Sequence, residues 1–130
     1  MNTEQIMLLQ SSWQELELLS DLVGEVFYMK LFELAPDVRR LFKGDAEQQA
    51  KLLMSMLGVA VNMLDKPESM VPGMAELGQR HHGYGVEPQH YEPFIQALLW
   101  AIEKALGSAF SPEVEDAWRE FFKHLAKMMA

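Results

Sequence analysis

The sequence predicts an all-α domain, and three observations predict it. Apolar residues recur at three- and four-residue steps along the chain, the period of a helix that buries one face. Prolines and glycines fall between those runs, where helices stop. No long Val/Ile/Thr run of strand type interrupts them. At 130 residues the chain is long enough for one domain with a real core and too short for two, so residues 1–130 form a single domain.

Each element has its own warrant. Ile6, Leu9, Trp13 and Leu16 make one face of a first helix. Leu22, Val26, Met29 and Phe32 continue the pattern in a second helix. Pro36 stops it, since proline cannot extend a helix and biases Ala35 away from helical torsions. Gly44-Asp45 breaks the chain after Phe42, and a long helix runs roughly from Glu47 to Leu64. Its buried side is expected to carry Leu53, Met56, Leu57, Ala60 and Leu64. Lys66-Pro67 ends that helix. A short segment then places Met74, Leu77 and His81 on one face before the Gly83 and Gly85 turn. Phe94, Leu98, Ile102 and Leu106 define another helix, closed by Gly107. Ser111-Pro112-Glu113 opens the last helix with a cap, a proline at the first position and an acid in the first turn. Val114, Trp118, Phe121, Phe122 and Leu125 form its inner face, for about seven helices in all.

Composition narrows the chemistry. Cysteine is absent, which removes disulfides, thiolate catalysis and Cys–zinc sites and suits a reducing cytoplasm. No basic-then-apolar leader opens the sequence, and no apolar run reaches the ~18 residues of a membrane span. A net charge of −8 disfavours nucleic acid and anionic membranes, because phosphate binding needs a cationic face. The expectation is a cytoplasmic protein with neither of those partners.

The residues that carry chemistry are His81, at the end of Leu77-Gly78-Gln79-Arg80-His81, and Phe42, at the end of Pro36-Asp37-Val38-Arg39-Arg40-Leu41-Phe42. A histidine closing a short amphipathic helix can present an imidazole nitrogen to a metal, although a lone histidine there also serves structurally. A phenylalanine arriving on another segment can wedge a flat aromatic ligand. His81, His82 and His90 lack Asp or Glu partners at ligand spacing, so a zinc site is not expected. His90 and His124 read as surface residues, and the ten methionines as fillers of core gaps around a large ligand. No nucleophile–base pair suggests hydrolysis.

From Trp13 to Trp118 the chain resembles a globin, and most closely the single-domain bacterial haemoglobins and the haem domain of flavohaemoglobins. The resemblance is carried by Leu31-Phe32 through Pro36 to Phe42 and by Leu77-Gly78, His81 and Gly85-Val86. His90-Tyr91 and Leu106-Gly107, Phe110-Ser111 and Ala117-Trp118 add to it. It implies a globin fold with three-over-three helix packing around haem b (iron protoporphyrin IX). His81 would be the proximal iron ligand, a neutral imidazole donating its other N–H to a backbone carbonyl. Phe42 would pack on the porphyrin, Leu77, Val86, Phe94 and Leu98 would line the apolar slot, and Arg80 could reach a propionate.

The resemblance also assigns the distal side. Tyr28, eight residues before Pro36, matches a distal-pocket tyrosine, and the usual separation of 32 residues from His81 leads back to Gln49. A one-residue shift in the loop would exchange Gln49 for Gln48. Leu53, one turn on, would be the apolar gate. A Tyr–Gln–Leu set favours a ligand that gains negative charge, as O2 does and CO does much less, because a charge-assisted hydrogen bond contributes ~1.5–3 kcal/mol. The implied function is reversible, tight O2 binding for scavenging, storage or delivery, with NO and CO as alternative ligands. The alternative is an NO dioxygenase re-reduced by a separate reductase, since the sequence has no Gly-rich dinucleotide loop. Tyr91 matches a tyrosine that joins the proximal histidine and a late glutamate in a triad. That glutamate's place falls just past Ala130, so a peroxidase-like push from the proximal side is not expected.

Overall fold

The computed structural model describes residues 2–41, 45–64 and 88–129. Five α-helices and three 3-10 turns make up those residues, with no strand among them. Helix α1 spans Thr3–Leu18 and α2 spans Ser20–Leu34, followed by a 3-10 helix at Pro36–Leu41. Helix α3 covers Ala46–Asn62. A short 3-10 turn at Pro88–His90 leads into α4, Tyr91–Leu106, and the last helix, α5, is Pro112–Met129.

Helix boundaries follow local chemistry. Asn2 and Gln5 form a reciprocal capping box at the start of α1, with the Asn2 side chain accepting from the Gln5 N–H at 2.8 Å. Ala35 closes α2 ahead of Pro36, as the proline requires. The Asp45 carboxylate accepts from the Glu47 N–H at 3.0 Å and so caps α3. Gly107 takes a positive φ of 57° to end α4. The Ser111 hydroxyl accepts from the Val114 N–H at 3.2 Å to start α5.

One core joins all five helices. Leu9, Trp13 and Leu16 of α1 meet Val114, Trp118 and Phe121 of α5, and α2 packs most extensively against α4. A buried polar bond locks the first pair: the Trp118 indole N–H donates to the Ser12 hydroxyl at 2.9 Å, which itself donates to the Leu8 carbonyl at 2.7 Å. Helices α2 and α3 approach so closely that a Cβ on Gly24 would lie 2.6 Å from the Ala50 Cβ. Only glycine permits that crossing. Gly58 does the same for the Trp13 ring, 2.9 Å from where its Cβ would sit.

The structure corrects two of the expected faces. On α2 the buried residues are Val23, Gly24, Phe27, Tyr28 and Leu31, while Leu22 and Met29 are 47 % and 65 % exposed. The apolar residues of this helix run nearly all round, so more than one helical stripe fits them. On α3 the inward residues are Ala50, Met54, Leu57, Ala60 and Val61, Leu53 is half-buried, and Met56 is exposed. The small Ala50 is inside because Gly24 leaves room only for a methyl group.

Candidate functional site

Gly24 and Ala50 set the geometry from which the site is built. Tyr28 lies one turn beyond Gly24 on the same face of α2, and Gln49 immediately precedes Ala50 on α3. The tyrosine is 7 % exposed. Its ring stands edge-on to Phe27, with centroids 4.8 Å apart, and lies 5.9 Å from Phe32. Aromatic neighbours on both sides fix the ring and remove water from the phenol. That desolvation pushes its pKa up to about 12. The hydroxyl therefore stays protonated, and able to donate, at any physiological pH.

Gln49 is half-buried in the first turn of α3, its backbone N–H donating to the Asp45 carbonyl at 3.1 Å, whereas Gln48 is exposed. Leu53 lies one turn on from Gln49 and packs against the core. Opposite, Tyr91, Phe94 and Leu98 share one face of α4. The Phe94 ring is 6.1 Å from Phe27, so Phe27 links the α4 aromatics to Tyr28. Leu98 is buried and Phe94 half-buried. The Tyr91 hydroxyl is buried with no hydrogen-bond partner among the described residues, and burial raises its pKa. Phe42, Leu77, Arg80, His81 and Val86 lie outside the described residues.

His90 corrects an expectation. It is 6 % exposed, at the junction of the 3-10 turn and α4, and is no surface residue; His124 is exposed as expected. His90 has helical torsions (φ −79°, ψ −20°) where α4 begins, and a polar side chain at a helix start carries no periodic signal of burial. The methionines divide as well. Met54 is buried, but Met7, Met29 and Met56 are exposed, so these three fill no gap in the core. Among the described residues no cluster of His, Asp and Glu could hold a metal ion on its own.

A globin family model matches residues 25–129. The chain belongs to the globin family. It is 30 % identical over 130 residues to a flavohemoprotein of Deinococcus radiodurans, covering 97 % of this chain and 32 % of that protein. A flavohemoprotein of Xylella fastidiosa (strain 9a5c) is 30 % identical over 108 residues, 81 % of this chain and 27 % of its own length. The chain thus spans about a third or less of the curated relatives it matches. Among solved structures, an engineered carbene transferase built on a candidate nitric oxide dioxygenase of Rhodothermus marinus superimposes with a TM-score of 0.89. It shares 26 % identity, and the alignment covers 99 % of this chain and 90 % of that one. A bacterial globin from Campylobacter jejuni has the same fold, with a TM-score of 0.85 at 23 % identity over 97 % of this chain and 91 % of its own.

The described residues fit the haem that defines this family. Leu98 belongs to the hydrophobic core and Leu53 and Phe94 pack against it half-buried, apolar side chains of the kind a flat hydrophobic ligand needs. The Tyr91 hydroxyl, buried and without a hydrogen-bond partner among the described residues, is a group that a polar edge of the bound cofactor would satisfy. Sequence reasoning missed Phe27 and Gly24, which position Tyr28. A glycine inside an otherwise apolar helix, one turn before a tyrosine, was the available signal.

Proposed function

We propose that this globin binds haem b with His81 as iron ligand and takes up O2 reversibly and tightly on the side of Tyr28. The observation that carries the reading is the burial of Tyr28, a phenol able to donate at physiological pH, one turn from the α2–α3 crossing. Haem, when bound, supplies the ferrous iron at which O2 is taken up. Tyr28 contributes a donor that a partly charged ligand oxygen accepts, and a charged hydrogen bond of this kind contributes ~1.5–3 kcal/mol. Every ~1.4 kcal/mol is tenfold in affinity. Gln49, half-buried on the next helix, is the second donor, and its burial supports it over the exposed Gln48. Leu53, Phe94 and Leu98 keep water away from the ligand, Phe42 packs on the porphyrin, and Leu77 and Val86 extend the apolar lining. Arg80 reaches a propionate.

The second reading is NO dioxygenation with a separate reductase. The likeness to flavohemoproteins and to the R. marinus protein supports it. Both readings begin with held O2, so the same residues serve either. Stopped-flow mixing of the O2-loaded protein with NO separates them. Stoichiometric nitrate, with turnover once a reductase is added, establishes the enzyme; a carrier role requires that no turnover follow. A cytoplasmic setting belongs to the same proposal; among the described residues no helix is long and apolar enough to cross a membrane.

A further inference from the structure

A groove of about 1100 Å³ opens at the surface between α1, α2 and α3. Small residues fix its walls against each other: Gly24 meets Ala50, and Gly58 meets the Trp13 ring. Its shape is therefore set before anything enters, and a pre-formed site loses less entropy on binding. We propose that this groove docks a basic amphipathic helix of a partner protein, with apolar side chains seated on its floor and lysines or arginines facing its carboxylates. Neither the walls nor the charges depend on the reading of Tyr28.

Three observations select that occupant. The first is the apolar lining. Met54 is buried, Val26 half-buried, and Met29 and Val59 are exposed although apolar. An apolar face that covers them gains by removing water, and methionine adapts its shape to what it meets. The second is charge. Glu17, Asp21, Glu25 and Glu47 line the groove, and the lining lysine among the described residues, Lys51, lies 3.9 Å from Glu47. The side chains of Glu17, Asp21 and Glu25 make no ion pair or hydrogen bond with another described residue. Asp21 and Glu25 stand one turn apart on α2, a spacing at which like charges repel, and a cation between them reverses the sign. The third is length. Helix α3 lines the groove from Glu47 to Asn62, about 22 Å at 1.5 Å per residue, which suits a helix of about four turns. Helices that lie in grooves anchor by apolar residues three and four apart and leave their charged face to the rim. The carboxylates repel nucleic acid and anionic membranes, and a second copy of this chain brings a net charge of −8 of its own.

The probe is a fluorescein-labelled amphipathic helix of leucine and lysine, about 15 residues long, and its control carries glutamate in place of lysine. Anisotropy titration of the whole chain should show one-to-one, saturable binding of the lysine peptide and at least about tenfold weaker binding of the glutamate peptide. The triple change Glu17→Gln, Asp21→Asn, Glu25→Gln should weaken the lysine peptide about tenfold, since exposed pairs contribute little singly and add across separate sites. A matched triple on α5, Glu113→Gln, Asp116→Asn, Glu120→Gln, removes as much charge from exposed residues outside the groove and should change binding less than about twofold. Ser55 is exposed on the groove lining, so Ser55→Trp fills the groove and should abolish binding. An unchanged helical circular dichroism spectrum in each variant separates lost binding from lost fold. The methyl resonance of buried Met54 reads the floor itself and should shift as the lysine peptide is added. Equal weakening by the two triples, a Met54 methyl that stays fixed, or full affinity in Ser55→Trp would overturn the proposal. So would self-association of the free protein that Ser55→Trp removes, because the groove would then belong to a second copy.

Discussion

Changing Tyr28 to Phe removes one oxygen atom and leaves the packing in place. The ring sits edge-on to Phe27 at 4.8 Å and 5.9 Å from Phe32, contacts that a phenylalanine keeps. The loss is therefore a hydrogen bond without a cavity. A donor facing a partly charged acceptor contributes ~1.5–3 kcal/mol, so at the low end O2 dissociation should quicken at least ~10-fold, the rate equivalent of ~1.4 kcal/mol. CO release should change little, because CO gathers little negative charge. Stopped-flow displacement of each gas gives both rates from one preparation. Equal acceleration of O2 and CO would mean that Tyr28 acts by bulk, and unchanged O2 release would mean that its hydroxyl faces elsewhere. Gln49→Leu should act in the same direction with a smaller effect, and Gln48→Leu should do nothing.

Other outcomes follow from the same geometry. The folded-state pKa of Tyr28 lies near 12 against an ordinary 10.0, so the native state holds this proton more tightly than the unfolded chain. Its contribution is intact below pH 10 and lost as pH rises through about 12, a loss on the order of 3 kcal/mol at ~1.4 kcal/mol per unit. Guanidinium melts across that window should show a shallower alkaline loss in Tyr28→Phe than in the wild type. Gly24→Ala forces a methyl against Ala50 and should destabilise by ~1–3 kcal/mol, less the ~1 kcal/mol that alanine gains in a helix; adding Ala50→Gly should restore the melting temperature. Ser12→Ala strands the buried Trp118 N–H and should cost ~1–3 kcal/mol in chemical denaturation.

The helices were legible where a chemical signal marks them. Pro36, Gly107 and Ser111-Pro112 end or begin elements where their torsions and missing donors dictate. Faces were harder. In α2, apolar residues at 22, 23, 26, 27, 28, 29, 31 and 32 support several stripes, and only the close approach of α3 to Gly24 selects the one that buries Tyr28. Long-range contacts of that kind leave no periodic trace. The same reason hid the Ser12–Trp118 bond, which joins positions 106 residues apart, and the burial of His90. Tyr28, Gln49 and Leu53 were legible through family spacing, whereas Phe27, which holds Tyr28 in place, was visible only once α4 lay beside α2.

Haem capture through His81 is the central claim, and a spectral titration tests it most directly. Haem added to the purified apoprotein should bind with one-to-one stoichiometry. The ferrous form should then give distinct, reversible spectra under O2 and under CO. His81→Ala should lose haem or shift those spectra grossly, since an imidazole ligand sets the iron's electronic state. Full haem retention by His81→Ala with an unchanged ferrous–CO spectrum would contradict the account and move the search for a ligand to His82.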